Sequence, residues 1–160
     1  MKLRDKLIKE LILMPMLATS KEGAIQELLT HLQSLHKLSA TIKLFSNIKE
    51  QENTFTSSAG RGIAYPHSTS VEIEKLTCVL GISKQGIDFN SPDGHDCHLI
   101  LLTLSPANDP TEHRKFITRF QSMVQNPNIR SSLLDSRSYI EVHNIISQWE
   151  KDDNYKVDLL

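Results

Sequence analysis

The residues of this chain best suited to chemistry lie in Ser57–His67, where an arginine sits between two glycines and a histidine follows a proline. Gly60 and Gly62 permit backbone with φ > 0 or close approach to another group. Pro66 fixes its own φ and removes a donor, and the residue before it is held extended. His67 is thereby presented in a single pose at the end of a strand. An imidazole titrates near neutral pH and serves as a nucleophile or a proton carrier. A Pro-His pair alone is ordinarily a surface turn, so the surrounding elements carry the rest of the argument.

Leu3, Leu7, Ile8 and Leu11 recur at helical spacing within residues 1–14, which predicts a packing helix ending before Pro15. Thr19-Ser20-Lys21-Glu22 reads as a capping box opening a helix that buries Ile25, Leu28, Leu29, Leu32 and Leu35. Leu38, Ile42, Phe45 and Ile48 predict a second helix from about Ser39 to Gln51, followed by a polar loop or edge strand. Leu76–Ser83 and His98–Leu104 read as buried strands, with Gly86–Phe89 a short strand and Ser91-Pro92-Asp93-Gly94 a tight turn between them. Asp109-Pro110-Thr111-Glu112 starts a helix with Phe116, Ile117, Phe120, Met123 and Val124 inward. A short helix from Asn126 to Leu134 and a final one opened by Ser138–Glu141 follow, with residues 152–160 a frayed tail. Helices and strands alternate. The expected fold is therefore a single α/β domain over residues 1–160, a mixed β-sheet flanked by helices on both faces, with its core in about residues 5–150.

With 18 basic and 19 acidic residues, no broad field draws nucleic acid or anionic lipid to this chain. The apolar run Leu11–Leu17 is broken by Pro15 and too short to span a bilayer, so no membrane insertion is expected. Cys78 and Cys97 form no disulfide framework, which points to a reduced, cytoplasmic setting. A metal site at His95, Cys97 and His98 fits no trusted zinc spacing, because adjacent strand residues point to opposite faces. No metal or other cofactor is expected.

In this context, Gly60-x-Gly62-Ile63-Ala64-Tyr65-Pro66-His67 resembles the phosphohistidine signature of the enzyme IIA domains of the bacterial phosphotransferase system. The similarity is to the fructose/mannitol type, which includes the nitrogen-regulatory branch. Gly86-Ile87-Asp88-Phe89 with its following turn, the strand from His98 to Leu102, and Glu112-His113 resemble further family features in the same order. The resemblance spans about residues 5–150. It implies a phosphocarrier in which Nε2 of His67 takes a phosphoryl group from an HPr- or NPr-type carrier. The group then passes to a IIB domain, or acts as a regulatory signal toward a protein partner. His113 would steady the phosphoryl oxygens from a helix N-terminus. Ser57, Ser58 and Ser68, with the amides of Gly60, Arg61 and Gly62, would supply further donors.

The chain departs from the family pattern at Gln51, where Glu-Arg-Glu is replaced by Glu50-Gln51-Glu52. A neutral amide makes no fixed bidentate clamp, and losing one charge-assisted contact costs about 1.5–3 kcal/mol. Arg61 and Arg114 are the nearby cations able to substitute electrostatically. An alternative reading follows from the same substitution: a non-catalytic IIA-like protein that regulates partners by binding and no longer transfers phosphate efficiently.

Overall fold

The computed structural model describes the backbone of residues 1–158 and the side chains through Asn154. Two long apolar segments build its centre. The strands β5 (Thr77–Ile87) and β6 (Cys97–Pro106) pair antiparallel, from Thr77 opposite Leu104 to Ile87 opposite Cys97. Their near-continuous apolarity has the expected cause, since both faces are covered. Outside β5 lies β1 (Ile12–Leu13), parallel to it. Along the other edge of β6 run β3 (Ile63–Ala64) and β4 (His67–Ser70), both parallel to it and in one register. Pro66 stands at the joint between them. It has no N–H for the ladder, yet its carbonyl accepts from Thr103 N at 3.1 Å. The hairpin strand β2 (Ser58–Gly60) pairs antiparallel with β3 and closes that edge.

Helices cover both faces, as the sequence predicts. On one side α2 (Lys21–Ser34) and α3 (Ile42–Thr54) pack Ile25, Leu28, Leu32 and Ile48 against Val79, Ile100, Leu102 and Leu104. On the other, α1 (Leu3–Lys6), α4 (Thr111–Val124), α5 (Pro127–Asp135) and α6 (Tyr139–Asp158) enclose Leu80, Ile82, Leu99 and Leu101. Alternate residues of β6 thus feed two separate cores.

Several boundaries differ from the sequence reading. The first fourteen residues do not form one helix: α1 ends at Lys6, a 3₁₀ turn spans Lys9–Leu11, and Ile12 pairs with Leu80. Sheet pairing competes successfully with the helical periodicity there. Ser20, not Thr19, caps α2, its hydroxyl accepting from Gly23 N at 3.1 Å. Helix α3 starts at Ile42, whose side chain is 84% exposed, and buries Leu44 and Glu52 beside the expected Ile48. At the C-terminus α6 continues through Asp158 where a frayed tail was expected; Leu159 and Leu160 lie outside the described residues.

Gly81 in β5 is a packing requirement. A Cβ there would strike Met16 Sδ and come within 2.9 Å of Leu28 Cδ2. Gly81→Ala is expected to lower stability by about 1–3 kcal/mol through overpacking, read as a reduced urea midpoint with unchanged slope.

Candidate functional site

His67 opens β4 on the face shared by Tyr65 and Ile63, two and four residues earlier, and its side chain is exposed. Its Nδ1 lies 3.1 Å from the carbonyl oxygen of Tyr65. A carbonyl only accepts, so Nδ1 carries the proton and Nε2 keeps a free lone pair. In the neutral ring the backbone therefore selects the tautomer with its lone pair on Nε2.

Three further contacts steady Tyr65 and its partner Ser57. Tyr65 N donates to the Ser57 carbonyl at 3.2 Å and lies at the same distance from Ser57 Oγ. Ser57 N in turn donates to Oε2 of Glu52 at 3.0 Å, a carboxylate only 5% exposed at the end of α3. A chain thus runs from Glu52 through Ser57 and Tyr65 to the His67 ring. Sequence reasoning missed Glu52 because it reads as one more acidic residue at a helix end; its burial is a tertiary property.

Opposite His67 stands His113, in the first turn of α4, with ring centroids 5.8 Å apart and planes inclined by 34°. Its Nε2 is 2.9 Å from the hydroxyl of Thr103, the fully buried β6 residue that pairs with His67. Burial first, and then the neighbouring His67 charge, lower the proton affinity of His113 below the ordinary value of 6.5. The unfolded chain then takes up this proton first. Stability is expected to fall as pH drops below about 6.5, and His113→Gln should flatten that slope in denaturant titrations.

On its other side His67 borders a cavity lined by Asn47, Glu50, Gln51, Thr54 and Phe55 of the α3 end. Gln51 thus meets the site where the family pattern has arginine. Phe55 is 82% exposed at this rim.

The remaining residues singled out in the sequence do not converge on His67. Gly62 accepts from His98 N and Leu99 N, five and four positions before the Thr103 that pairs with His67, which sets it about 15 Å away along the sheet. Gly60, Arg61 and Gly62 form the β2–β3 turn, where Arg61 N donates to Asp93 Oδ2 at 2.8 Å. The Ser91 hydroxyl first, then the Arg61 and His95 amides, hold Asp93 down to about 2. Ser58 is buried against Cys97, its Oγ 3.4 Å from Sγ. Ser68 is buried on the face opposite His67, its hydroxyl donating to Thr69 O. Arg114 is exposed on α4 beside His113. Cys78 and Cys97 are free and buried, and burial raises the Cys78 thiol to about 12. Among the described residues no cluster of three or more His, Cys, Asp or Glu is placed to hold a metal, and no helix is long and apolar enough to cross a membrane.

Comparison with known proteins adds to this geometry. The chain is 29% identical over 151 residues to a protein named PTS system fructose-specific EIIABC component of Bacillus subtilis, matching 94% of itself but spanning only 24% of that relative's length. It is 26% identical to a Nitrogen regulatory protein of Bradyrhizobium diazoefficiens, with 92% of this chain and 95% of that one covered. The crystal structure of nitrogen regulatory protein IIA-Ntr from Neisseria meningitidis superposes with a TM-score of 0.81 at 24% identity, over 89% of this chain and 97% of that one. Residues 6–149 match the family described as phosphoenolpyruvate-dependent sugar phosphotransferase system, EIIA 2. By that match over most of its length, joined to a single mixed sheet of the same fold, this chain belongs to the EIIA 2 family and is a phosphotransferase component.

Proposed function

We propose that the chain is a phosphocarrier whose acceptor atom is Nε2 of His67. The observation that carries this reading is the Nδ1–H of His67 held on the Tyr65 carbonyl, which leaves Nε2 unprotonated beside His113. Nε2 attacks the phosphorus of a phosphohistidine on an HPr- or NPr-type carrier. A new N–P bond forms, and the carrier's N–P bond breaks with its electron pair returning to the carrier's ring. The phosphoryl group then moves to a IIB-type acceptor, or stays as a charge that changes partner binding. His113, in the first turn of α4, faces the incoming anion. Once His67 carries a dianion, its charge favours the protonated form of His113, so the second imidazole gains a proton as the first gains phosphate.

Intact-mass analysis after incubation with phosphoenolpyruvate, enzyme I and an HPr-type carrier tests the reading. An acid-labile gain of one phosphoryl group, mapped to the peptide carrying His67, is the expected result. A folded chain that gains nothing from a fully phosphorylated carrier would be the binding protein of the alternative reading. Gln51→Arg places a guanidinium at the His67 cavity and is expected to speed transfer roughly tenfold in rapid-quench measurements, the worth of one charge-assisted contact.

A further inference from the structure

A second cleft, of about 380 Å³, lies between the β2–β3 turn and the C-terminal half of α4 and shares no lining residue with the His67 cavity. We propose that this cleft binds a small organic anion bearing several hydroxyl groups, a phosphorylated or carboxylated polyol. Its volume suits a ligand of that size. Thr118, Gln121, Ser122 and Gln125 line it from one stripe of α4, at spacings of three and four residues. Arg61 and Tyr65 face them from the sheet edge.

The chemistry of these six side chains selects the ligand. None of them makes a side-chain hydrogen bond or ion pair to another described residue, so all their donors and acceptors are available. Arg61 is the one charged side chain in the lining; the Asp93 carboxylate next to the turn lies outside that lining and is taken up by the Ser91 hydroxyl and the Arg61 and His95 amides. A guanidinium takes a phosphate or carboxylate through two parallel hydrogen bonds. Amides and hydroxyls both donate and accept, which matches the hydroxyl groups of a polyol. The Tyr65 ring, set edge-on to Phe120 with centroids 6.0 Å apart, gives an apolar flank for C–H groups. Burial raises its phenol to about 12, so the hydroxyl remains protonated at neutral pH. An apolar ligand would strand the two amides, and a cation would meet Arg61.

The backbone supplies an independent reason. Arg61 has φ 58°, between Gly60 at 81° and Gly62 at 78°. A two-residue hairpin turn of this kind favours Asn, Asp or Gly at that position, and a larger side chain there is strained. The Asp93 carboxylate pins the strained amide in place. Strain of this sort persists where the surrounding structure holds it, and it clusters at binding sites.

Calorimetric titration of the full chain, with amide chemical shifts as the map, tests the site using glucose 6-phosphate and gluconate as probes and glucose and inorganic phosphate as controls. Saturable binding of either anionic polyol, with shifts confined to the Arg61 turn and residues 118–125, is expected. Glucose 6-phosphate binding alone assigns a phosphate ester, and gluconate alone a carboxylate. Arg61→Gly should weaken binding about tenfold or more while raising thermal stability, because glycine suits the turn. Gln121→Glu should weaken it with the fold unchanged, and His67→Ala should bind as the unaltered protein does, which separates this site from the phosphocarrier reading. No saturation by either anionic polyol overturns the proposal. So does full affinity in Arg61→Gly, or inorganic phosphate binding as tightly as glucose 6-phosphate.

Discussion

His67→Ala is expected to abolish the acid-labile phosphoryl adduct completely while leaving the fold intact. The side chain is exposed, and its one hydrogen bond is to a carbonyl that water can serve equally well. Stability should therefore change by no more than about 0.5 kcal/mol, so a lost adduct reports chemistry. The preparatory chain behind the ring gives the test a second arm. Glu52→Gln leaves an acceptor for Ser57 N but removes the charge that holds it, and Tyr65 then carries its carbonyl less firmly. Slower phosphorylation with the adduct still on His67 is the expected result, together with a shift of the His67 ring nitrogens toward the mixed-tautomer pattern in nitrogen-detected NMR. An unchanged adduct in His67→Ala would move the acceptor elsewhere and sink the assignment.

Glu150→Ala should be the most destabilising single change outside the two hydrophobic cores. Glu150 is fully buried in α6, where its carboxylate accepts Leu3 N at 2.7 Å and Arg4 N at 3.0 Å. It also lies 3.5 Å from Nε of Arg119, which reaches Asp153 as well and stacks 4.5 Å from the Trp149 ring. One carboxylate thus fastens the N-terminal turn and α4 to α6. Truncation leaves the Leu3 and Arg4 amides without their acceptor and the Arg119 guanidinium with Asp153 alone. Removing one partner from such a buried arrangement costs about 3–5 kcal/mol, or on the order of 10 °C in Tm for a chain this long. Glu150→Gln keeps an acceptor oxygen and should lose less. Equal losses in the two variants would mean that packing, and not the hydrogen bonds, holds this corner.

How much of this was legible in the chain itself depends on the range of the forces involved. Near-continuous apolarity marked β5 and β6, and the 3.6-residue period marked α2 and α4, because each pattern is a local record of which faces are covered. The N-terminal segment failed for the same reason. Its spacing suits a helix, but a place beside β5 was available to Ile12 and Leu13, and a strand vacancy is not written in the segment that fills it. Likewise, Ile42 reads as part of a buried stripe, whereas the neighbouring surfaces bury Leu44 and Glu52.

The site divides along the same line. By itself the sequence determined the fold class, the family pattern and the histidine posed behind Pro66, since proline geometry and residue order need no tertiary information. Only the folded chain decided what surrounds that histidine. It brought Thr103, His113 and Gln51 to the ring from three separate elements, and made Glu52 its remote support. It also carried Gly60, Arg61 and Gly62 away from the ring to their own turn, although they lie only five to seven residues from His67. An extended strand separates near neighbours by about 3.3 Å per residue, while sheet pairing and helix packing join residues distant in sequence.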